Sequence, residues 1–548
     1  MRLLIVTAVA VLCGTGTAYA DAGEDLQRCY EESDDLKLKV EICTRAIDSG
    51  KLGRENLAVS LVNRGIALRR LGSGEAAVVD YSRAIDLSPR LVSAYYNRGI
   101  ATQELGDDRA AAEDFGLTIA LEPDFAGAYL ARARVYVRLG YVEHGINDYT
   151  SAIEREPDNA DNYLGRAIAK HKLARYAEAI ADYDAGLKLA PNRAGAYSNR
   201  AITYEAMGKK AKAHADYSRA VHLDPERVGA YLSRAKLAVG QQRHKAAIHD
   251  LNKVLQILPD HTDSYHLRSD LHVKVGDDRA AIADFSYLLQ QQPNDTGILL
   301  KRARAHLRQG QSAAAGRDLD AILSKEPRNA AAHRLKGKIH AANNDPARAI
   351  ASLSAAIDQN LKDPEIHLAR ARAYQESGDD VRAIADYNAA LAQQSDLTAA
   401  LIGRGMARFR RGLHAAAVPD LAKGLRGAPN DANATLWLYL ARVRSGTNGL
   451  TELRNAARRL ALRGWPEAVL ALYLGKGGAG RVKAQAEKSG AKLRRNRLCE
   501  ASFYLGQHAL LQGDREAAAR HFQAAVDSDA RRLGAFLGAK AELQRLGS

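Results

Sequence analysis

Ten arginines and ten aspartates recur sixteen residues apart between residues 58 and 431. The arginines are Arg64, Arg98, Arg132, Arg166, Arg200, Arg234, Arg268, Arg302, Arg370 and Arg404, and their partners run from Asp80 to Asp420. A guanidinium fork and a carboxylate pair through two parallel hydrogen bonds. At the one break in the series both residues change together, to Lys336 and Ser352, which predicts that the two positions touch. The chemistry is therefore ion pairing between a first and a second helix, within one unit or across to its neighbour. A ladder for an anionic ligand is the alternative use of the same residues.

Catalytic and metal chemistry find no comparable pattern. There is no HExxH, GxSxG or CxxC, and the sixteen histidines are scattered. His266, His306 and His340 occupy places that other units fill with unrelated residues. The doublets Asp107-Asp108, Asp277-Asp278 and Asp379-Asp380 each fall in the same inter-helix turn, where helix capping explains them. The run Gly475-Lys476-Gly477-Gly478-Ala479-Gly480 lacks the ending of a phosphate-binding loop and follows no strand, so it reads as a loop between helices. The expectation is a non-enzymatic protein with no cofactor and no metal.

The elements that position the ion pairs are written in a 34-residue unit that repeats eleven times from Ala58 to Asp431. Position 8 is always small (Gly65, Gly99, Ala133), position 20 is Ala or Gly, and position 24 is Tyr, Phe or Leu. Position 32 is Pro in nine of the eleven units, failing at Leu361 and Ser395. Each unit carries two apolar-periodic runs, read as two helices. A turn such as Leu105-Gly106-Asp107-Asp108 separates them, with Gly ending one helix and Asp capping the next. One such hairpin cannot bury its apolar face alone, so neighbours must stack.

This period and residue pattern resemble the tetratricopeptide repeat. The resemblance implies an all-α, right-handed superhelical solenoid of helix-turn-helix units with a long concave groove. It also implies that positions 2, 5, 9, 12 and 13 of the first helix face that groove. Position 9 is apolar early (Ile66, Ile100) and basic in many later units, giving Arg134, Lys236, Arg304, Lys338 and Arg372 as candidate partner-binding residues. Position 13 adds Arg70, Arg138, Lys172, Lys274, Arg308 and Arg410, while Asp270 and Glu376 interrupt the stripe. Such a stripe suits acidic peptide segments; a solvated charged face is the alternative.

The remaining chain frames the repeats. Met1 to Ala20 reads as a signal peptide: Arg2, an apolar run from Leu3 to Cys13, then Ala18-Tyr19-Ala20 as the cleavage site. That run is far shorter than the ~20 residues a membrane-spanning helix needs, and no later segment qualifies. Lipidation at Cys13 is disfavoured, because Leu12 stands where a small residue would be required. Export, to a periplasm or beyond, favours a disulfide between Cys29 and Cys43, fourteen residues apart on facing helices of a degenerate cap over residues 21–57. Cys499 has no evident partner.

Charge is concentrated late in the chain. Between Arg442 and Arg497 stand fourteen Lys or Arg against Glu452, Glu467 and Glu487, which is eleven of the chain's net fifteen positive charges. This irregular basic region (432–497) holds both tryptophans, Trp437 and Trp465, and a repeat-like unit returns over residues 498–548. The stretch from Gly464-Trp465-Pro466 through Cys499-Glu500-Ala501 to Phe503-Tyr504-Leu505-Gly506 resembles the end of NlpI-like envelope proteins. That resemblance implies an adaptor in the cell envelope. The expected function is an exported scaffold binding acidic protein segments, with an anionic envelope polymer as the alternative partner and no nucleic acid.

Overall fold

The computed structural model describes residues 17–31, 34–359 and 363–547. The expected signal peptide lies outside these residues as far as residue 16, and Cys13 with it. The described residues form helices joined by turns, with no strand among them. The chain divides into two compact bodies, residues 1–264 and 265–548. Each is a stack of antiparallel helix pairs.

Within a repeat the first (A) and second (B) helices follow the sequence pattern closely. Repeat 5, for example, pairs Ala194–Ala206 with Lys210–Leu223. The turn between them needs a residue in the left-handed region; in repeat 2 this is Gly106, at φ 90°. Asp107 then caps the B helix by accepting from the Ala110 amide. The small residue at position 8 exists because the ring at position 24 lies against its Cα. A Cβ on Gly65 would stand 2.6 Å from Cε1 of Tyr81, and both residues are buried. In each body successive A helices approach one another more closely than successive B helices do. The A helices therefore line the inner side of each stack.

The N-terminal hairpin, Thr17–Tyr30 with Leu36–Asp48, packs on the first repeat. Cys29 and Cys43 are joined by a disulfide between its two helices, with Cα atoms 4.9 Å apart. Cys499 is a buried free thiol whose pKa burial pushes up to about 11.

Beyond Asp431 the helices are Ala432–Arg444, Leu450–Leu460, Glu467–Tyr473, Ala479–Glu487, Ala491–Leu511, Arg515–Asp527 and Gly534–Gly547. The glycine-rich run supplies the turn between Tyr473 and Ala479. Gly506 and Phe522 repeat the contact of Gly65 and Tyr81, with a Cβ on Gly506 standing 2.5 Å from the ring. Trp437 is buried between the rings of Phe409 and Phe503, each 5.1 Å away. That stack joins the last regular repeat to the C-terminal helices. The final helix is held by Glu542, which is buried and accepts from Gln507 (3.0 Å) and Arg545 (2.8 Å), with Arg444 3.5 Å away. Arg545 in turn donates to the Arg410 carbonyl at 2.7 Å.

Candidate partner-binding face

The arginine–aspartate series closes inside each repeat. All ten pairs form, with shortest N–O distances of 2.6–2.8 Å. Nε and Nη2 grip the two carboxylate oxygens, as in Arg98–Asp114, and the ten aspartates are only 3–7% exposed. The remaining Nη1 reaches the preceding repeat. Where position 25 there carries an acceptor it donates to that residue, as Arg98 does to Ser82, Arg166 to Thr150, Arg370 to Ser354 and Arg404 to Asn388. Arg132 faces Gly116, which has no side-chain acceptor, and Arg64 donates to Thr44 of the N-terminal hairpin. One guanidinium thus ties its own hairpin shut and fastens it to its neighbour. In repeat 9, Lys336 reaches back 2.5 Å to Asp320, at position 25 of repeat 8. These side chains are consumed by structure.

Position 9 lies one residue from the buried position 8 and points the other way. Arg134, Lys236, Arg304, Lys338 and Arg372 are all exposed on their A helices. Arg134 has a partner, Asp161 of the next repeat, at 3.4 Å. Among the described residues, Lys236, Arg304, Lys338 and Arg372 have no ion-pair partner. Burial, followed by the neighbouring cations Arg334 and Arg308, lowers the Arg304 pKa from its ordinary value. In the N-terminal body the same row carries exposed Ile168 and Ile202. The row thus carries apolar residues and cations, with Asp270 among them, held by Lys301 at 2.7 Å.

Position 13 is a free stripe only in part, and here the sequence reading is corrected: Arg70, Lys172 and Lys274 are exposed without an ion pair among the described residues, but the other three are bound. Arg138, Arg308 and Arg410 bind Asp108, Asp278 and Asp380 of the preceding repeat. The Asp doublets therefore divide their work. The first residue caps the B helix, as Asp277 does through Ala280 and Asp379 through Arg382. The second neutralises the next repeat's arginine. The signal was present in the sequence: Asp at position 17 occurs in three repeats, and each is followed by Arg at position 13 of the next.

In the basic region Arg442, Arg444 and Arg481 are paired with Glu452, Glu542 and Glu467. Arg454, Arg458, Arg463, Lys476, Lys483 and Lys488 are exposed. Trp465 donates to Glu500 at 2.7 Å, and burial raises the Glu500 pKa. No helix among the described residues is long and apolar enough to cross a membrane. No group of three or more His, Cys, Asp or Glu among them could hold a metal ion.

Comparison with known proteins follows the same lines. A tetratricopeptide repeat model matches residues 130–194, 199–262, 300–364 and 335–398, and a second repeat model matches residues 65–106. These matches end short of the stretch expected to resemble NlpI-like proteins. No curated protein matches the chain. Among solved structures, the chain is similar to YrrB, a TPR protein described as having an unusual peptide-binding site. The identity is 19%, over 36% of this chain and 98% of that one, with a TM-score of 0.32. It is similar to PilW, described as a type IV pilus biogenesis factor, at 20% identity over 37% and 94%, with a TM-score of 0.33. The Cut9–Hcn1 assembly covers more, 77% of this chain and 96% of that one, at 13% identity and a TM-score of 0.34. This chain is built of tandem tetratricopeptide repeats.

Proposed function

We propose that the chain is an exported, non-enzymatic scaffold that captures acidic segments of partner proteins along the inner, A-helix side of its stacks. The observation that supports this is the set of exposed cations at position 9, Lys236, Arg304, Lys338 and Arg372, left without ion-pair partners among the described residues while the position-7 arginines are all paired. The fold itself is a scaffold suited to protein–protein interaction. A row of like charges on a preformed surface adds capture rate and selectivity more than raw affinity. Export is read from the N-terminal pattern of Arg2, the apolar run and Ala18-Tyr19-Ala20. Affinity capture from an envelope extract tests the reading. Arg304→Glu with Arg372→Glu should lose the partners at physiological salt and keep the melting temperature. Unchanged capture by that double variant overturns it.

The exposed cations around Arg454, Arg458 and Lys483 favour a second reading, attachment to an anionic envelope polymer. Sedimentation with purified envelope polymer separates the two. Retention lost in Arg454→Glu/Arg458→Glu but kept in the position-9 variant supports the polymer.

A further inference from the structure

The joint between repeats 8 and 9 differs from every other joint of the ladder. Elsewhere position 7 is an arginine that holds a carboxylate in its own repeat. Here Lys336 has Ser352 in place of that carboxylate, and its single ammonium is turned to Asp320 behind it. A cleft of about 1030 Å³ opens at this joint, bounded by the B helix Ser312–Lys325, the A helix Ala330–Ala342 and the start of the B helix Pro346–Asp358. It lies along positions 7, 10 and 11 of the A helix, away from position 9.

The lining is cationic. Arg317, Lys336 and Arg348 border the cleft, and Arg317 has no ion-pair partner among the described residues. Two carboxylates stand against them, and both are engaged. Asp320 holds Lys336, and Asp345 caps the B helix through the Arg348 amide while standing 3.4 Å from the Arg348 Nε. Burial, and after it Lys336, lowers the His340 pKa, so the imidazole is a neutral hydrogen-bonding group at neutral pH. Ser312 adds a hydroxyl. The volume is at the upper end of the ~300–1,000 Å³ range of small-molecule sites.

We propose that this cleft binds a small multivalent oxyanion, a ligand carrying phosphate or several carboxylates, held by Arg317, Lys336 and Arg348 with His340 and Ser312 as neutral partners. The site is separate from the partner-binding face, and neither reading depends on the other. The departure at Lys336 and Ser352 then has a use. An arginine here would be clamped on carboxylates on both sides, whereas the Lys336 ammonium spends one of its three hydrogens on Asp320 and keeps the others for a ligand. Repeat 5 shows the closed alternative with the same position-25 carboxylate: Arg200 holds Asp216 at 2.7 Å and Asp184 at 2.5 Å together.

The test is titration calorimetry of the full chain with inorganic pyrophosphate and, separately, with citrate. One of the two should bind at a single site, and which one it is identifies phosphate or carboxylate as the ligand group. Arg317→Glu/Arg348→Glu, which changes two exposed side chains, should weaken that binding at least tenfold. Lys336→Arg/Ser352→Asp, which rebuilds the rung of repeat 5, should weaken it similarly while raising the melting temperature. Arg83→Glu/Arg109→Glu, the same charge change on the N-terminal body, should leave it unchanged. Absence of binding to both anions overturns the proposal. So does equal binding by the Arg317/Arg348 variant, or equal loss in the Arg83/Arg109 control.

Discussion

Arg410 and Asp380 meet across two repeats, Nη2 to Oδ1 at 2.5 Å, with the arginine side chain 2% exposed and the aspartate 13%. A charge buried so deeply depends on its partner, and removing one member of such a pair costs roughly 3–5 kcal/mol. Asp380→Ala should therefore loosen the joint between repeats 10 and 11, seen as faster amide exchange in helices Asp380–Gln393 and Thr398–Arg410. Arg372→Ala, at an exposed position without a partner, should change stability by no more than about 0.5 kcal/mol. Equal effects from the two would mean that position 13 and position 9 are not physically distinct.

The ladder makes a sharper demand. Asp250→Ala strips Arg234 of its carboxylate and leaves it only the Ser218 hydroxyl, 3.0 Å away. Destabilisation by roughly 3 kcal/mol is expected, read as a lower melting temperature. Arg234→Met combined with Asp250→Leu should recover much of the loss, because no uncompensated charge then remains buried. A double variant as unstable as the single one would count against the buried charge as the cause.

Much of this arrangement was legible in the sequence because repetition acts as an internal control. The joint departure of Lys336 and Ser352 announced the contact between positions 7 and 23. The third prong of each arginine was not legible. Position 25 is Ser, Thr, Asn or Asp in nine repeats, all of which accept a hydrogen bond, but Gly116 and Ala422 in the other two, so no single residue type marks it. The partners of Arg138, Arg308 and Arg410 were missed for another reason. Capping alone sufficed to explain the Asp doublets, and a sufficient local explanation hid the second, inter-repeat one. The position-9 cations were placed by the repeat register. The cleft at repeat 9 was beyond reach, since the sequence marks the broken rung but not the space that opens around it.

Stability should also depend on pH through the C-terminal helices. His414 lies against the Phe409 ring, 4.6 Å between centroids, and its buried Nδ1 finds no hydrogen-bond partner. Burial, followed by Arg444, pushes its pKa down from 6.5 to about 4, with Glu542 opposing and Arg545 adding to the depression. The folded state thus binds fewer protons than the unfolded one between these values. The stability it contributes is complete above pH 6.5 and is lost as pH falls toward 4. Glu542 continues the trend in acid. Its pKa is lowered by Arg545 and Arg444 against the burial that raises it, so its contribution is present above the ordinary value of 4.5 and lost below it. His414→Phe should flatten the melting-temperature profile between pH 6.5 and 4.5 and leave the steeper acid limb. A profile unchanged by this substitution would exclude His414 as the titrating group.

The Cys29–Cys43 bridge closes a loop with a sequence separation of 14. Closing a loop of that length stabilises by about 3 kcal/mol through restriction of the unfolded chain. Reduction should therefore raise amide exchange in Thr17–Tyr30 and Leu36–Asp48 before any repeat is affected. Alkylation of either thiol in the denatured, unreduced exported protein would show that the bridge is absent there.

The ladder also bears on how such a chain can change over generations. Each position-7 arginine finds its carboxylate sixteen residues ahead, and most find a second acceptor sixteen residues behind, so most joints are made from one 34-residue period. Repeats that carry the full set can then be duplicated or deleted between residues 58 and 431 with the new joint already complete. The C-terminal end has no such freedom. Its last helix is fastened by Arg545 to a carbonyl 135 residues earlier and by Glu542 to Arg444, so new length must enter upstream of the last repeat while the terminal fastening is inherited as one piece.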